Sequence, residues 1–194
     1  MGLFETLSDQ ELVTGSKGGS EQYFGALVDR HTTSVYRVAR SITGSHEEAE
    51  DVVQETFLRA FKNLDMFDDS KSAFKTWLLT IARNQSVNIV SSVKRKALIF
   101  FGDRDKGDPE LEFSSNPISQ EPQDAETMLS IKQQFQMVEK ALKELPERQR
   151  TALLLKSQEN LSYDEISSVM DVSVSSVESL IFRARKKIIG LVER

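Results

Sequence analysis

Residues 161–188 read LSYDEISSVMDVSVSSVESLIFRARKKI, and their punctuation decides the architecture. Ser162 followed by Glu165 is a capping box, in which hydroxyl and carboxylate each satisfy a backbone N–H that a helix start leaves unpaired. Ile166, Val169 and Met170 then recur at helical spacing and face inward. Asp171 and Val172 turn the chain, and Ser173 is suited to cap a second helix. Along that helix Val174, Val177, Ile181, Ala184 and Ile188 alternate steps of three and four, which makes a buried stripe. A capped helix, a short turn and a second helix have helix-turn-helix proportions.

The other side of the second helix carries different chemistry. Ser175, Ser179, Phe182, Arg183 and Lys186 lie mostly opposite the stripe, with Ser176 and Lys187 flanking them. Small hydroxyls near the helix start suit entry into a major groove, where serine can meet base edges or phosphates. Arg183, Arg185, Lys186 and Lys187 can reach phosphates, and Phe182 a thymine methyl. Cations near a helix C-terminus also oppose the macrodipole, which is an ordinary structural role. That role explains neither the capped helix before them nor an outward Phe182, so DNA binding is the favoured reading.

Upstream, Leu145-Pro146-Glu147 fits a helix opening with proline in its first turn. Three of the four prolines, Pro109, Pro117 and Pro122, fall within residues 103–126, where eight acidic side chains face only Arg104 and Lys106. This stretch more than accounts for the chain's formal net charge of −5 and reads as a solvated linker. The expected organisation of the 194 residues is an N-terminal helical domain over 1–97, a flexible acidic linker over 98–127 and a C-terminal helical domain over 128–194. Leu98-Ile-Phe-Phe101 is too apolar for a plain tether and is expected to pack on something.

In the first domain, Phe24, Leu27, Val28, Val35, Val38, Ala39 and Ile42 form one apolar series, and Ala49, Val53, Phe57, Ala60, Phe61 and Leu64 a second. Gly44-Ser45 separates them, and Ser45 with Glu48 predicts another capping box. A third helix is expected from about Ser72 through Lys94, with Phe74, Trp77, Leu78, Ile81, Ala82, Val87, Ile89 and Val90 inward. No strand-like alternation competes, so the fold class is all-α.

Two polar surfaces stand out. Asp51, Glu55, Leu58 and Lys62 share one side of the second helix with Gln54 and Arg59 beside them. A leucine ringed by polar groups has the make-up of a protein-interface anchor, although on these residues alone an ordinary solvated face with one chance leucine is the favoured reading. The loop from Asp65 to Trp77 sets aromatics beside lysines, as a single-strand surface would. Phe74 and Trp77 are assigned to the core, leaving Lys71, Ser72 and Lys75 as contact candidates. Arg83, Asn84, Asn88 and the cluster Lys94, Arg95, Lys96 follow along the third helix and fit duplex phosphates.

Composition narrows the field. Cysteine is absent and histidine occurs only as His31 and His46, which rules out disulfides and thiolate zinc and argues against any metal site. A phosphate-binding loop and a nucleophile–base constellation are both missing from the pattern, so neither an enzyme nor a cofactor is expected. The start MGLFETLSDQELV lacks a signal-peptide pattern, and no stretch approaches the roughly 18 apolar residues of a membrane span.

Four blocks, DVVQETFLRAFKNLDMF (51–67), AFKTWLLTIARNQ (73–85), LPERQRTALLLK (145–156) and residues 161–188, resemble in order and spacing the extracytoplasmic-function (ECF) sigma factors of bacterial RNA polymerase. The resemblance covers nearly the whole chain except the linker. It implies sigma domains two and four, a cytoplasmic promoter-specificity subunit without small-molecule substrate or membrane insertion, and control by an anti-sigma factor. By resemblance Asp51, Gln54, Glu55, Leu58, Arg59 and Lys62 contact the clamp helices of the polymerase β′ subunit, and the β flap is a further polymerase contact. Lys71, Ser72, Lys75, Arg83, Asn84, Asn88, Lys94, Arg95 and Lys96 serve the −10 element, where the loop captures a flipped base during melting. Ser173, Ser175, Ser176, Glu178, Ser179, Phe182, Arg183, Lys186 and Lys187 serve the −35 element. The linker is expected to run through the polymerase cleft, and Leu98–Phe101 to pack on the first domain, an anti-sigma factor or polymerase.

Some positions depart from the family pattern. Glu178 and Leu180 stand where many relatives carry cations, and Asn88–Ser92 is less basic than in many relatives. Glu178 either accepts from a cytosine amine or pairs with Arg185. With an acidic net charge, DNA binding by the free chain is expected to be weak and salt-sensitive, strengthened when polymerase positions both domains. A stand-alone helix-turn-helix regulator, dimerising through its N-terminal half, is the competing expectation.

Overall fold

The computed structural model describes residues 3–101, 137–138 and 140–192. After a 3-10 turn at Leu3–Glu5 come α1 (Asp9–Lys17), α2 (Glu21–Thr43), α3 (His46–Lys62), a second 3-10 turn at Leu64–Met66, and α4 (Phe74–Phe101). The C-terminal unit contains α5 (Glu147–Ser157), α6 (Tyr163–Met170) and α7 (Val174–Val192), with further helical residues at 140–143. The described residues contain no strand, in agreement with the all-α expectation.

Caps define where the first unit bends. Gly44 adopts φ 74° and its N–H donates to the Arg40 carbonyl at 3.1 Å, ending α2 in a left-handed conformation that a β-carbon would strain. Ser45 then opens α3 by accepting from the Glu48 N–H at 3.4 Å. Only this half of the expected capping box forms, because the Ser45 N–H is taken by the Thr43 hydroxyl at 3.4 Å. At the start of α1 the full box is present, with Ser8 and Glu11 bonded reciprocally.

Helices α2, α3 and α4 pack mutually, and α1 lies on α2. Because α3 meets both α2 and α4, its buried face is wider than a single stripe and rotated from the expected one. Val52 and Thr56 are buried with Ala49, Phe57 and Ala60, whereas Phe61 is 49% exposed. Phe61 covers the core edge instead, its ring 5.0 Å from that of Phe24 in an edge-on contact. Phe67, Phe74 and Trp77 form a ring cluster with centroids 5.1–5.7 Å apart. Phe74 is buried and Trp77 partly buried, so the loop aromatics are core groups. Helix α4 starts at Phe74 and runs beyond the expected end at Lys94, which makes the backbone of Leu98–Phe101 helical. Residues 102–136, which include most of the linker expected over 98–127, lie outside the described residues.

In the second unit Pro146 stands at the N-cap, one position before the first turn in which the sequence suggested it. The Ser162–Glu165 box forms in both directions, with the Ser162 N–H 2.8 Å from Glu165 Oε2 and the Glu165 N–H 3.2 Å from Ser162 Oγ. Asp171, at φ 53°, makes the left-handed turn, and Ser173 Oγ accepts from the Ser176 N–H at 3.3 Å. Ile166, Val169, Val177, Ile181 and Ala184 are buried where α5, α6 and α7 meet. Each of the buried valine and isoleucine side chains stabilises the fold by roughly 1.5–3 kcal/mol.

The two units do not stand apart. Helix α2 packs on α5 and α4 on α6, and buried apolar groups run without a break from one unit to the other. Arg150 of α5, only 8% exposed, donates from Nε and Nη2 to the Ser41 carbonyl at 3.0 and 2.9 Å. The Thr151 and Ser41 hydroxyls share a hydrogen bond at 3.1 Å.

Candidate nucleic-acid interface

The turn before α7 fixes which side of that helix faces outward. With Val177, Ile181 and Ala184 held in the core, Ser175, Ser176, Glu178, Ser179, Phe182, Arg183, Lys186 and Lys187 are all exposed, Phe182 by 68%. Ser173 bonds to the Ser175 and Ser176 hydroxyls at 3.1 and 2.8 Å, so the helix start is a cluster of hydroxyls. Lys187, although exposed, donates to the Glu144 carbonyl, which leaves Arg183 and Lys186 as the cations of this face without a partner among the described residues. Glu178 pairs neither with Arg185 nor with any other described residue. The described surface is therefore an apolar ring and two cations set behind serines and one carboxylate, a face that can combine base-edge and phosphate contacts.

On α3, Asp51, Gln54, Leu58, Arg59 and Lys62 are exposed and Glu55 partly so. Leu58 is 48% exposed, while Arg59 Nε donates to Glu55 Oε1 at 2.5 Å one turn away. The expected set of six thus shares one face, with an apolar centre and an ion pair at its rim. Met66, in the 3-10 turn beyond α3, is a further exposed apolar side chain, at 81%. It drew no attention in the sequence because a single loop methionine has no pattern.

The residues assigned to the −10 element divide. Lys71 is exposed and 3.3 Å from Asp68, whose carboxyl is held below its ordinary range by hydrogen bonds from the Ser70 hydroxyl and N–H and from Lys71. Ser72 is partly buried, Arg83 donates to the Asn84 side-chain oxygen at 3.0 Å, and Asn84 and Asn88 are exposed along α4. The side chains of Lys94, Arg95 and Lys96 lie outside the described residues. Lys75 differs from the rest: its Nζ is 2.8 Å from Glu159 Oε2 and 3.1 Å from the Glu159 carbonyl, across the contact between the units.

Glu159 was not singled out from sequence. Its side chain is 1% exposed, in the short connection between α5 and α6, and Arg37 Nη1 of α2 approaches its other oxygen at 3.4 Å. Burial pushes its carboxyl up, but hydrogen bonds from Lys75, Ser34 and Arg37 and the Lys75 charge outweigh that and hold it below the ordinary carboxylate value. Alongside, Thr76 donates to Glu165 Oε1 at 3.0 Å, tying α4 to the capping box of α6. Glu165 too is held low, chiefly by the Ser162 N–H.

Two units, each with a polar face whose side chains can meet nucleic acid or protein, describe a modular transcription protein, and sequence relationships assign the class. Residues 27–96 match Sigma-70 region 2 and residues 135–188 match Sigma-70 region 4. The chain is 35% identical over 191 residues to the ECF RNA polymerase sigma-E factor of Salmonella typhimurium strain LT2, covering 98% of this chain and 97% of that one. It is 32% identical over 172 residues to the ECF RNA polymerase sigma factor SigW of Bacillus subtilis, covering 88% and 89%. The chain belongs to the ECF sigma factors, non-enzymatic subunits that serve RNA polymerase in transcription initiation.

Solved structures share the fold. The sigma factor RpoE in complex with the anti-sigma factor NepR from Bartonella quintana is similar with a TM-score of 0.68 at 24% identity, covering 88% of this chain and 96% of that one. CnrH in complex with the cytosolic domain of CnrY is similar with a TM-score of 0.62 at 26% identity, covering 95% and 97%.

Proposed function

We propose that this chain recruits core RNA polymerase through the α3 face, reads the −35 element with α7 and opens the −10 element with the loop and outer face of α4. The observation that carries this reading is the open face of α7. Glu178, Ser179, Phe182, Arg183 and Lys186 project outward with no partner among the described residues, while Val177, Ile181 and Ala184 fix the rotation of the helix that presents them. An exposed phenylalanine between a carboxylate and two cations is costly in water and useful in a groove.

On α3, the half-exposed Leu58 is the anchor and Asp51, Gln54, Glu55, Arg59 and Lys62 the rim that sets register against the β′ clamp helices. Ser173, Ser175, Ser176 and Lys187 complete the −35 face. Lys71, Ser72, Lys75, Arg83, Asn84 and Asn88, followed by Lys94, Arg95 and Lys96, serve the −10 face. Glu178, which Arg185 of the same helix does not reach, is assigned to a cytosine amine.

Among the described residues no helix is long and apolar enough to cross a membrane. A cytoplasmic site of action and an anti-sigma partner that masks the polymerase-binding face complete the proposal. The CnrH likeness supports a protein partner, since that relative is held by a cytosolic domain.

Reconstitution tests this reading. The purified chain and core polymerase are mixed with a genomic promoter library, and run-off transcripts are sequenced. Transcripts starting at a shared pair of upstream elements are expected. Specific DNA binding by the chain alone, with no association to core, would mark it instead as an operator-binding regulator.

A further inference from the structure

The contact between the two units contains an anion site of which the reading above uses only Lys75. Lys75 of α4, with Arg37 and Ser34 of α2, converges on one carboxylate, that of Glu159. All three donors belong to the N-terminal unit and the carboxylate to the C-terminal unit. Two cations and a hydroxyl aimed at paired oxygens bind a phosphodiester as readily as a carboxylate, because both present anionic oxygen acceptors to the same donors.

We propose that Ser34, Arg37 and Lys75 form a phosphate-binding site for promoter DNA, and that Glu159 occupies it in the free chain as an internal stand-in for the phosphate. The inference rests on the sigma-factor reading above and adds to it a binding site and a closed state.

Geometry requires that the carboxylate leave. Promoter elements about 25 base pairs apart are separated by about 85 Å at about 3.4 Å per pair. While α2 packs on α5 and α4 on α6, the two units form one compact body, and a compact chain of 194 residues has a radius of gyration of only about 16 Å. The −10 and −35 faces cannot both reach their elements while these helices touch, so promoter binding must separate the units. Separation withdraws a buried carboxylate from Lys75 and Arg37 and leaves both cations facing solvent at the edge of the −10 surface. A DNA phosphate restores their pairing. Lys75, only 28% exposed, is then both a latch residue and a DNA contact, and the closed chain competes with its own substrate.

The full-length chain carries the test, with fluorescein-labelled single-stranded DNA of random sequence as the probe and anisotropy as the readout. Glu159→Gln keeps the shape of the side chain but not its charge, and is expected to bind the probe roughly tenfold more tightly by raising the open fraction. Adding Arg37→Ala to that variant should abolish most of the gain and lower the slope of log affinity against log salt by about 0.7, as expected for one lost phosphate contact on a single strand. Because the chain has no cysteine, Ser41→Cys with Thr151→Cys makes a clean lock across the contact, where the two hydroxyl oxygens are 3.1 Å apart. Oxidised, the pair should bind roughly tenfold more weakly than the parent, and dithiothreitol should restore binding. Parent-like affinity for both Glu159→Gln and the oxidised pair overturns the proposal. So does an unchanged salt slope with Arg37→Ala, and so does a loss of affinity for core polymerase in place of DNA, which would give the site to a protein partner. Run-off transcription by the parent separates the two levels: transcription with failed variants sinks this inference alone, whereas no transcription sinks the reading beneath it.

Discussion

Arg150 reaches across the unit boundary to place Nε and Nη2 on the carbonyl oxygen of Ser41, at 3.0 and 2.9 Å, while its Nη1 returns to the Leu145 carbonyl at 3.1 Å. One guanidinium thus ties the last turns of α2 to the entry of α5. Ser41 is fully buried, so removing the donor leaves a carbonyl with no route to water. Arg150→Ala should destabilise the contact by about 1.5–3 kcal/mol, the range for a hydrogen bond to a charged group. Hydrogen exchange should show faster opening of α5 and of the end of α2, with α3 unchanged. Arg150→Lys, which cannot fork, should recover only part of the protection. Equal exchange in all three proteins would mean that apolar packing alone holds the units together.

Thr56 makes the opposite case. Its hydroxyl is fully buried between α3 and its neighbours and finds no hydrogen-bond partner among the described residues. Thr56→Val keeps the shape and removes the orphaned polar group, so it should stabilise the chain by about 1 kcal/mol. The urea midpoint should rise with an unchanged denaturant slope. A lower midpoint would show that the hydroxyl is satisfied by water.

Two glycines should respond with opposite signs. A β-carbon on Gly15 of α1 would run into the Tyr23 ring, which itself packs edge-on against Phe4 at 5.1 Å. Gly15→Ala must push that ring aside and should cost about 1–3 kcal/mol. Gly25 of α2 has open space around the same position. Gly25→Ala should gain about 0.5–1 kcal/mol, since the helix interior loses a residue with excess backbone freedom. Thermal melts of the pair check both signs, and a stabilising Gly15→Ala would refute the close approach.

Acid should weaken the anchoring of α1. Asp9 lies 2.7 Å from Arg30 Nη1 and 2.8 Å from His31 Nε2. Burial raises its carboxyl, but hydrogen bonds from His31 and Arg30 and their charges outweigh this and leave it below the ordinary value of 3.8. A carboxyl lowered in the folded state binds fewer protons there than in the unfolded chain. Its contribution is therefore complete above 3.8 and is lost as pH falls through the lower folded value. Urea midpoints measured between about pH 5 and about pH 2 should fall more steeply for the parent than for Asp9→Asn, the two converging in acid. Parallel curves would remove Asp9 from the account.

Much of this structure was legible from short-range pattern. Ser162 with Glu165, Gly44 before Ser45, and the three-and-four stepping from Val177 to Ala184 are all rules acting within a few residues, and each places a helix end or a buried stripe. What escaped was set by partners far along the chain. Thr56 is buried because α3 touches two helices at once, which a one-stripe reading of a polar residue cannot reveal. Arg37 and Glu159 meet across 122 positions, and no local spacing announces a pairing of that range. Lys75 reads from sequence as a cation fit for phosphate, and its partner in the structure is a carboxylate of the same chain. For Lys94–Lys96 the backbone is helical, but their role still rests on charge pattern alone.

The polymerase face is tested most directly at Leu58. Because the side chain is already 48% exposed, Leu58→Ala should leave folding stability within about 0.5 kcal/mol of the parent. In a complex the same side chain would be desolvated at the centre of a polar rim, where truncation of an anchor costs about 1–2 kcal/mol or more. Affinity for core polymerase should accordingly fall roughly tenfold while the melting temperature holds. Glu55→Lys acts differently: it replaces the acceptor of Arg59, 2.5 Å away, with a like charge and reverses the rim potential facing a partner. That variant should slow association and should do so less at high salt. Anisotropy titrations of labelled chain with core polymerase read both effects. If the double variant Leu58→Ala with Glu55→Lys binds core as tightly as the parent at low salt, the α3 face is not the docking surface, and the exposed Met66 beyond it becomes the next surface to mutate.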